Sequence, residues 1–135
     1  MSEKPTIRVV TALIEKDGAA LLTQRQPHAV FGLRWEFPGG RAEAGERDED
    51  ALVREFAERL GAIVEVGELF SATDRDYEQF SIELRVYRCH LRDPILVPLR
   101  VHAYRFVPFA ELANYPVPPA DEESVARLLA PANSL

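Results

Sequence analysis

Glu55 and Glu58 stand three residues apart in the stretch from Asp48 to Leu60, and on a helix that spacing sets both carboxylates along a common edge. Hard oxygen donors on a rigid element suit Mg2+ or Mn2+. Such a cation neutralises phosphoryl oxygens and lowers the pKa of a bound water, which are the needs of in-line attack on a phosphoanhydride. Gly39-Gly40, just upstream, allows the backbone to approach a ligand closely because neither residue carries a Cβ. The same residues also have a plainer reading. It is a solvated helix face on which Glu55–Arg59 and Arg54–Glu58 pair at four-residue spacing, each pair contributing about 0.2–0.5 kcal/mol.

These residues require a helix to hold them, and the pattern from Asp48 to Leu60 predicts one. Leu52, Val53, Phe56, Ala57 and Leu60 fall on one face, and Arg54, Glu55, Glu58 and Arg59 on the other. Asp48, Glu49 and Asp50 suit the positive end of the helix dipole, and Gly61 is placed to stop the helix in a left-handed cap. Before the helix, Ile7 to Ile14 reads as a strand that turns at Asp17-Gly18 into a second strand, Ala19 to Leu22. Trp35-Glu36-Phe37 is a short extended piece ended by Pro38-Gly39-Gly40. After the helix, strands are expected at Ile63 to Phe70, Phe80 to Leu91 and around Tyr104 to Val107, with a polar loop from Thr73 to Glu78. Helices are expected at Pro108 to Asn114 and Asp121 to Leu129. Helices and strands mixed in this way imply an α/β fold with a sheet covered on both faces.

A chain of 135 residues with 47% hydrophobic content supports one core and one domain. Its net charge of −6 opposes binding to nucleic acid, which needs clustered Lys and Arg. No apolar run approaches the roughly 18 residues that span a bilayer, so no membrane partner is expected. Cys89 is the sole cysteine and reads as a small buried residue in a reducing compartment, with cytoplasmic residence as the expectation. His28, His90 and His102 have no ligand spacing.

The segment from Gly40 to Ala62 resembles the Nudix box, Gly-x5-Glu-x7-Arg-Glu-U-x-Glu-Glu-x-Gly-U, where U is a bulky aliphatic residue. Gly40, Glu46, Arg54, Glu55, Phe56, Glu58 and Gly61 match it. Trp35-Glu36-Phe37-Pro38-Gly39-Gly40 looks like the MutT-type branch, which includes enzymes acting on oxidised-purine or pyrimidine nucleoside triphosphates. The resemblance runs from about Ile7 to Leu129. It implies a single Nudix domain over residues 1–135, with its box at 40–62, folded as an α-β-α sandwich with a mixed central sheet. It also implies metal-dependent hydrolysis of a phosphoanhydride bond in a small nucleoside di- or triphosphate, assisted by Mg2+ or Mn2+.

By that resemblance Glu55, Glu58 and Gly39 are metal ligands, and one of the two glutamates serves as general base. Gly40, Glu46, Arg54 and Gly61 are structural, with Glu46 and Arg54 pairing across loop and helix. Arg25, at the end of the second strand, falls where a phosphate-contacting arginine is placed. Asp121 falls where an Asn or Asp reads the nucleobase edge, and it is equally a good N-cap for the last helix. Trp35 and Phe37 border a base pocket or, as buried aromatics more often do, belong to the core.

The chain departs from the family at position 59, where Arg59 replaces the second glutamate of the Glu-Glu pair. A guanidinium stays charged and cannot ligate a metal. Arg100 stands where many MutT-type proteins carry a further glutamate, six residues ahead of an aromatic residue aligned with Phe106. Arg47 occupies the usual Ser or Thr cap position, and Ala62 replaces a larger aliphatic. Two accounts follow. In one, a reduced metal complement is held by Glu55, Glu58 and a further acid, Glu46 or Glu43, while Arg59 contacts substrate phosphate. In the other, the domain binds a nucleotide or another phosphorylated ligand without hydrolysing it efficiently, as a regulatory or binding module.

Overall fold

A computed structural model describes residues 4–92 and 95–115. Among these described residues, eight strands, one α-helix and a short 3-10 helix follow in the order β1 (Thr6–Leu13), β2 (Glu15–Lys16), β3 (Ala19–Gln24), β4 (Trp35–Glu36), β5 (Gly39–Arg41), α1 (Asp48–Leu60), β6 (Val64–Asp76), β7 (Ser81–Leu91), β8 (Ala103–Pro108) and the 3-10 helix Phe109–Asn114. The larger sheet has the order β5-β1-β7-β6. β1 and β7 run parallel and the other neighbours antiparallel, so the sheet is mixed as expected. In the smaller sheet β8 pairs along the whole of β3 from Ala19 to Gln24, and β2 and β4 pair with opposite ends of the same strand.

The first expected hairpin divides differently. Asp17 and Gly18 both have positive φ, 51° and 76°, as the tight turn requires, but β3, the strand that leaves the turn, pairs with β2 and not with β1. The chain changes sheet at Ile14, whose carbonyl accepts from Leu21 N–H at 3.0 Å while β1 pairs with β5 and β7. Alternation along β1 is the physical reason. Val10, Ala12 and Ile14 join one hydrophobic cluster and Leu13 the other, so β1 is buried on both faces and must lie inside a sheet. β6 also continues past its expected end, while β7 keeps to its expected range. Thr73 to Asp76 pair with Leu84 to Ser81, and only Tyr77 to Phe80 make the turn. Ladder hydrogen bonds and the Arg85–Asp74 ion pair at 3.0 Å outweigh the polar composition that suggested a loop.

α1 begins and ends where the sequence predicts. Gly61 stops it at φ 60°, its N–H donating to the Ala57 carbonyl, and Arg47 at the N-cap gives no side-chain cap. The buried stripe is rotated from the expected one: Ala51, Leu52, Glu55, Phe56 and Leu60 are buried, whereas Val53 and Ala57 face solvent. Glu55, assigned to the outer face from the pattern, lies on the inner edge. Phe56, Leu52 and Leu60 pack with Val10, Ala12, Val64 and Cys89 in one core. A second core joins Leu13, Leu22, Phe37, Val86, Val107 and Leu112. Cys89 is buried, and burial pushes its thiol up to about 12. Phe37 is fully buried, and Trp35 meets Tyr115 edge-on at 5.4 Å; both pack in the second core, and Phe37 also lines the cavity beside the glycine strand. The expected last helix, with Asp121, lies outside the described residues.

Candidate active site

α1 crosses the glycine strand β5, and that crossing makes the site. A Cβ on Gly40 would sit 2.3 Å from Cδ and Oε2 of Glu55, and one on Gly39 would sit 2.0 Å from the Val10 carbonyl oxygen. The glycine pair is therefore pressed between β1 and the carboxylate. Only because Gly40 lacks a side chain can Glu55 be 6% exposed on the inner edge of the helix.

Arg54 ties the preceding loop to the helix. Its Nε and Nη2 donate to the two oxygens of Glu46 at 2.8 and 2.9 Å, and Nη2 also donates to the Arg41 carbonyl at 3.0 Å. Glu46 Oε1 accepts from Glu43 N–H at 2.9 Å as well. These bonds to the ionised form, Arg54 first, hold the Glu46 carboxyl down to about 2. Arg54 rises from its ordinary value chiefly through the same Glu46 contact. The structural pair expected between Glu46 and Arg54 is thus present, and it leaves Glu46 committed as a bidentate partner. The loop is held from below by Arg8, which donates to the Glu46 carbonyl and pairs with Asp48 at 2.9 Å. Tyr87 donates to Asp48 at 2.5 Å, and burial followed by that contact lifts its hydroxyl to about 12.

Five side chains, Arg54, Glu55, Glu58, Arg59 and Arg100, meet along the open part of this edge. Nη1 of Arg54 lies 3.0 Å from Glu55 Oε1 and 3.4 Å from Glu58 Oε2, so both carboxylates reach one nitrogen. Arg59 Nε donates to Glu55 Oε2 at 2.5 Å, and Arg100 Nη1 stands 3.9 Å from Glu58 Oε2. Both residues that depart from the family pattern therefore face the two glutamates that match it. Glu58 is the more open carboxylate, with 42% of its side chain exposed. No group of three or more His, Cys, Asp or Glu close enough to hold a metal occurs among the described residues. The oxygen donors present, Glu55 and Glu58, suit a hard divalent cation, and any such cation must compete with guanidinium groups for them.

Beside the edge is a cavity of about 360 Å³ whose lining includes Thr11, Arg25, Glu36, Gly39, Gly40, Arg59, Tyr77 and Phe80. Arg25 Nη1 meets both oxygens of Glu36 at 3.1 and 3.2 Å, and its Nε donates to the Val30 carbonyl at 2.7 Å. Burial pushes the Glu36 carboxyl up, and Arg25 opposes the shift. Tyr77 stacks on Phe80 at 4.9 Å between ring centroids. Among the described residues, Thr11 Oγ1 and the Tyr77 hydroxyl, on two of the lining residues, are buried without a hydrogen-bond partner. Sequence reasoning named Arg25, Arg59, Gly39 and Gly40 for the site, offered Phe37 as one of two readings, and missed Glu36, Thr11, Tyr77 and Phe80. Glu36 had a signal, its place in Trp35-Glu36-Phe37. Tyr77 and Phe80 had none, since a hairpin far along the chain brings them in.

This arrangement of a mixed sheet packed against one long helix is the fold of the MutT protein from Methanosarcina mazei Go1. That structure superposes with a TM-score of 0.82 at 20% identity over 95% of this chain and 96% of that one. The chain belongs to the Nudix family, since the NUDIX domain model matches residues 9–127. A CTP pyrophosphohydrolase of Escherichia coli (strain K12) is 36% identical over 118 residues, 85% of each chain. A putative 8-oxo-dGTP diphosphatase 2 of Mycobacterium tuberculosis (strain CDC 1551 / Oshkosh) is 36% identical over 124 residues, 89% of this chain and 86% of that one. The protein is a MutT-like Nudix hydrolase, and these relatives favour hydrolysis over the binding-module alternative. Among the described residues no helix is long and apolar enough to cross a membrane.

Proposed function

We propose that the chain hydrolyses a nucleoside triphosphate to the monophosphate and diphosphate, using Mg2+ or Mn2+ held by Glu55, Glu58 and the Gly39 carbonyl. The observation that carries this reading is the buried Glu55 carboxylate on a helix edge it shares with Glu58, pressed against a glycine pair beside a cavity with aromatic walls. A bound divalent cation there supplies charge neutralisation on the phosphate chain and a more acidic water.

The chain's own residues do the rest. Glu55 or Glu58 accepts the proton of the attacking water as its oxygen bonds to phosphorus and the P–O–P bridge breaks. Arg59 and Arg25 contact phosphoryl oxygens, and Asp121 reads the base edge. Glu46, Arg54, Gly40 and Gly61 hold loop and helix in register. Cytosine and oxidised-guanine nucleotides are the first substrates to try, given the relatives named for them. The single buried cysteine supports a cytoplasmic setting.

The test is a hydrolysis panel containing CTP, dCTP and 8-oxo-dGTP with Mg2+ and with Mn2+, run on wild type, Glu55→Gln and Glu58→Gln. Metal-dependent release of diphosphate that collapses in the variants is expected. Turnover unchanged in both would sink the site assignment.

A further inference from the structure

We infer that Arg59 and Arg100 are exchangeable counter-ions, holding Glu55 and Glu58 in the free protein and passing to the substrate's phosphate chain when a divalent cation takes the two carboxylates. The inference rests on the metal-site reading above. Its ground is an asymmetry among the arginines on this edge. Arg54 is locked by Glu46, the Arg41 carbonyl and Glu55. Among the described residues, Arg59 has one side-chain hydrogen bond, from Nε to Glu55, and Arg100, 70% exposed, has a single ion-pair contact at 3.9 Å. Either guanidinium can leave its carboxylate without breaking a loop contact.

Their main chains, by contrast, are fixed together. Leu99 and Arg100 N–H both donate to the Arg59 carbonyl, at 2.9 and 3.2 Å, so the two side chains emerge from adjoining backbone at the end of α1. They line one cleft of about 300 Å³ with Gln26, Glu55 and Glu58. Arg59 lines the aromatic cavity as well, and so spans the gap that a polyphosphate must cross between a base in that cavity and the carboxylates.

Charge dictates the exchange. Two neighbouring carboxylates without a cation repel each other, and the guanidiniums relieve that repulsion. A dication at the same oxygens repels the guanidiniums in turn and frees them for phosphate, whose oxygens match their forked donors. Metal and phosphate therefore bind with positive coupling, each vacating what the other needs.

The test measures Mn2+ binding by electron paramagnetic resonance on the full chain without phosphate, in wild type, Arg59→Gln, Arg100→Gln and Glu55→Gln. Removing the competitor should tighten Mn2+ about ten-fold in Arg59→Gln and less in Arg100→Gln. Inorganic triphosphate without metal, followed by calorimetry, should bind both arginine variants more weakly than wild type. Arg100 is exposed, so its variant carries the test even if Arg59→Gln does not fold. Mn2+ affinity unchanged or weakened in the folded arginine variants overturns the exchange. If Glu55→Gln nevertheless abolishes Mn2+ binding, the metal-site reading survives that failure. No Mn2+ binding to any of the four proteins overturns both.

Discussion

The two ends of one ion-pair network on α1 differ in kind. Towards the loop, Arg54 and Glu46 meet through two hydrogen bonds of 2.8 and 2.9 Å, each with further backbone partners, and about a quarter or less of either side chain is exposed. Towards the helix C-terminus, Glu58 meets Arg54 at 3.4 Å and Arg100 at 3.9 Å, with Glu58 and Arg100 well exposed. A bidentate, partly buried pair with every donor used is scaffolding. Long, exposed pairs contribute little to stability and are free to rearrange, which is what a site that must admit a cation and a phosphate chain needs. Glu55 belongs to both ends, buried like the first and paired with Arg59 like the second.

The sharpest break in this comparison comes at Glu55 itself. Glu55→Gln should lower metal-dependent turnover by about 10²–10⁴-fold while the protein still melts cooperatively, because the amide keeps the shape and loses the charge and basicity. Gly40→Ala is next. Its methyl must displace the Glu55 carboxylate, and about 1–3 kcal/mol of stability should be lost in thermal unfolding, together with activity.

The scaffold end is tested by acid. The Glu46 carboxyl lies at about 2 when folded against an ordinary 4.5, so its stabilising contribution is complete above pH 4.5 and is lost as pH falls towards 2. Glu46→Gln should flatten that part of the stability profile, as followed by circular dichroism, and an unchanged profile would remove Glu46 from the scaffold. The smallest effect is expected at the other end, where Arg100→Gln should change thermal stability by no more than about 0.5 kcal/mol. A larger loss there would mean that the exposed end is also structural.

The sequence alone determined the local features. Helical period, acidic first turn and Gly61 set the limits of α1, Asp17-Gly18 set a turn, and the spacing of Gly40, Glu46, Arg54, Glu55 and Glu58 identified the family, because such signals depend on neighbours a few residues apart. Only the tertiary structure decided which edge of the helix is buried and what each charge meets. Glu55 passed from outer face to inner edge because Gly40, on another strand, leaves room for it. β1 left its expected hairpin because both its faces are apolar. Tyr77, Phe80, Thr11 and Glu36 share a cavity through strand pairings that no short spacing records. Arg59 and Arg100 were legible as departures from a pattern, but their meeting with Glu55 and Glu58 depends on the 97–100 segment docking on the end of α1. Packing and long-range hydrogen bonding, which join residues remote in the chain, made those choices.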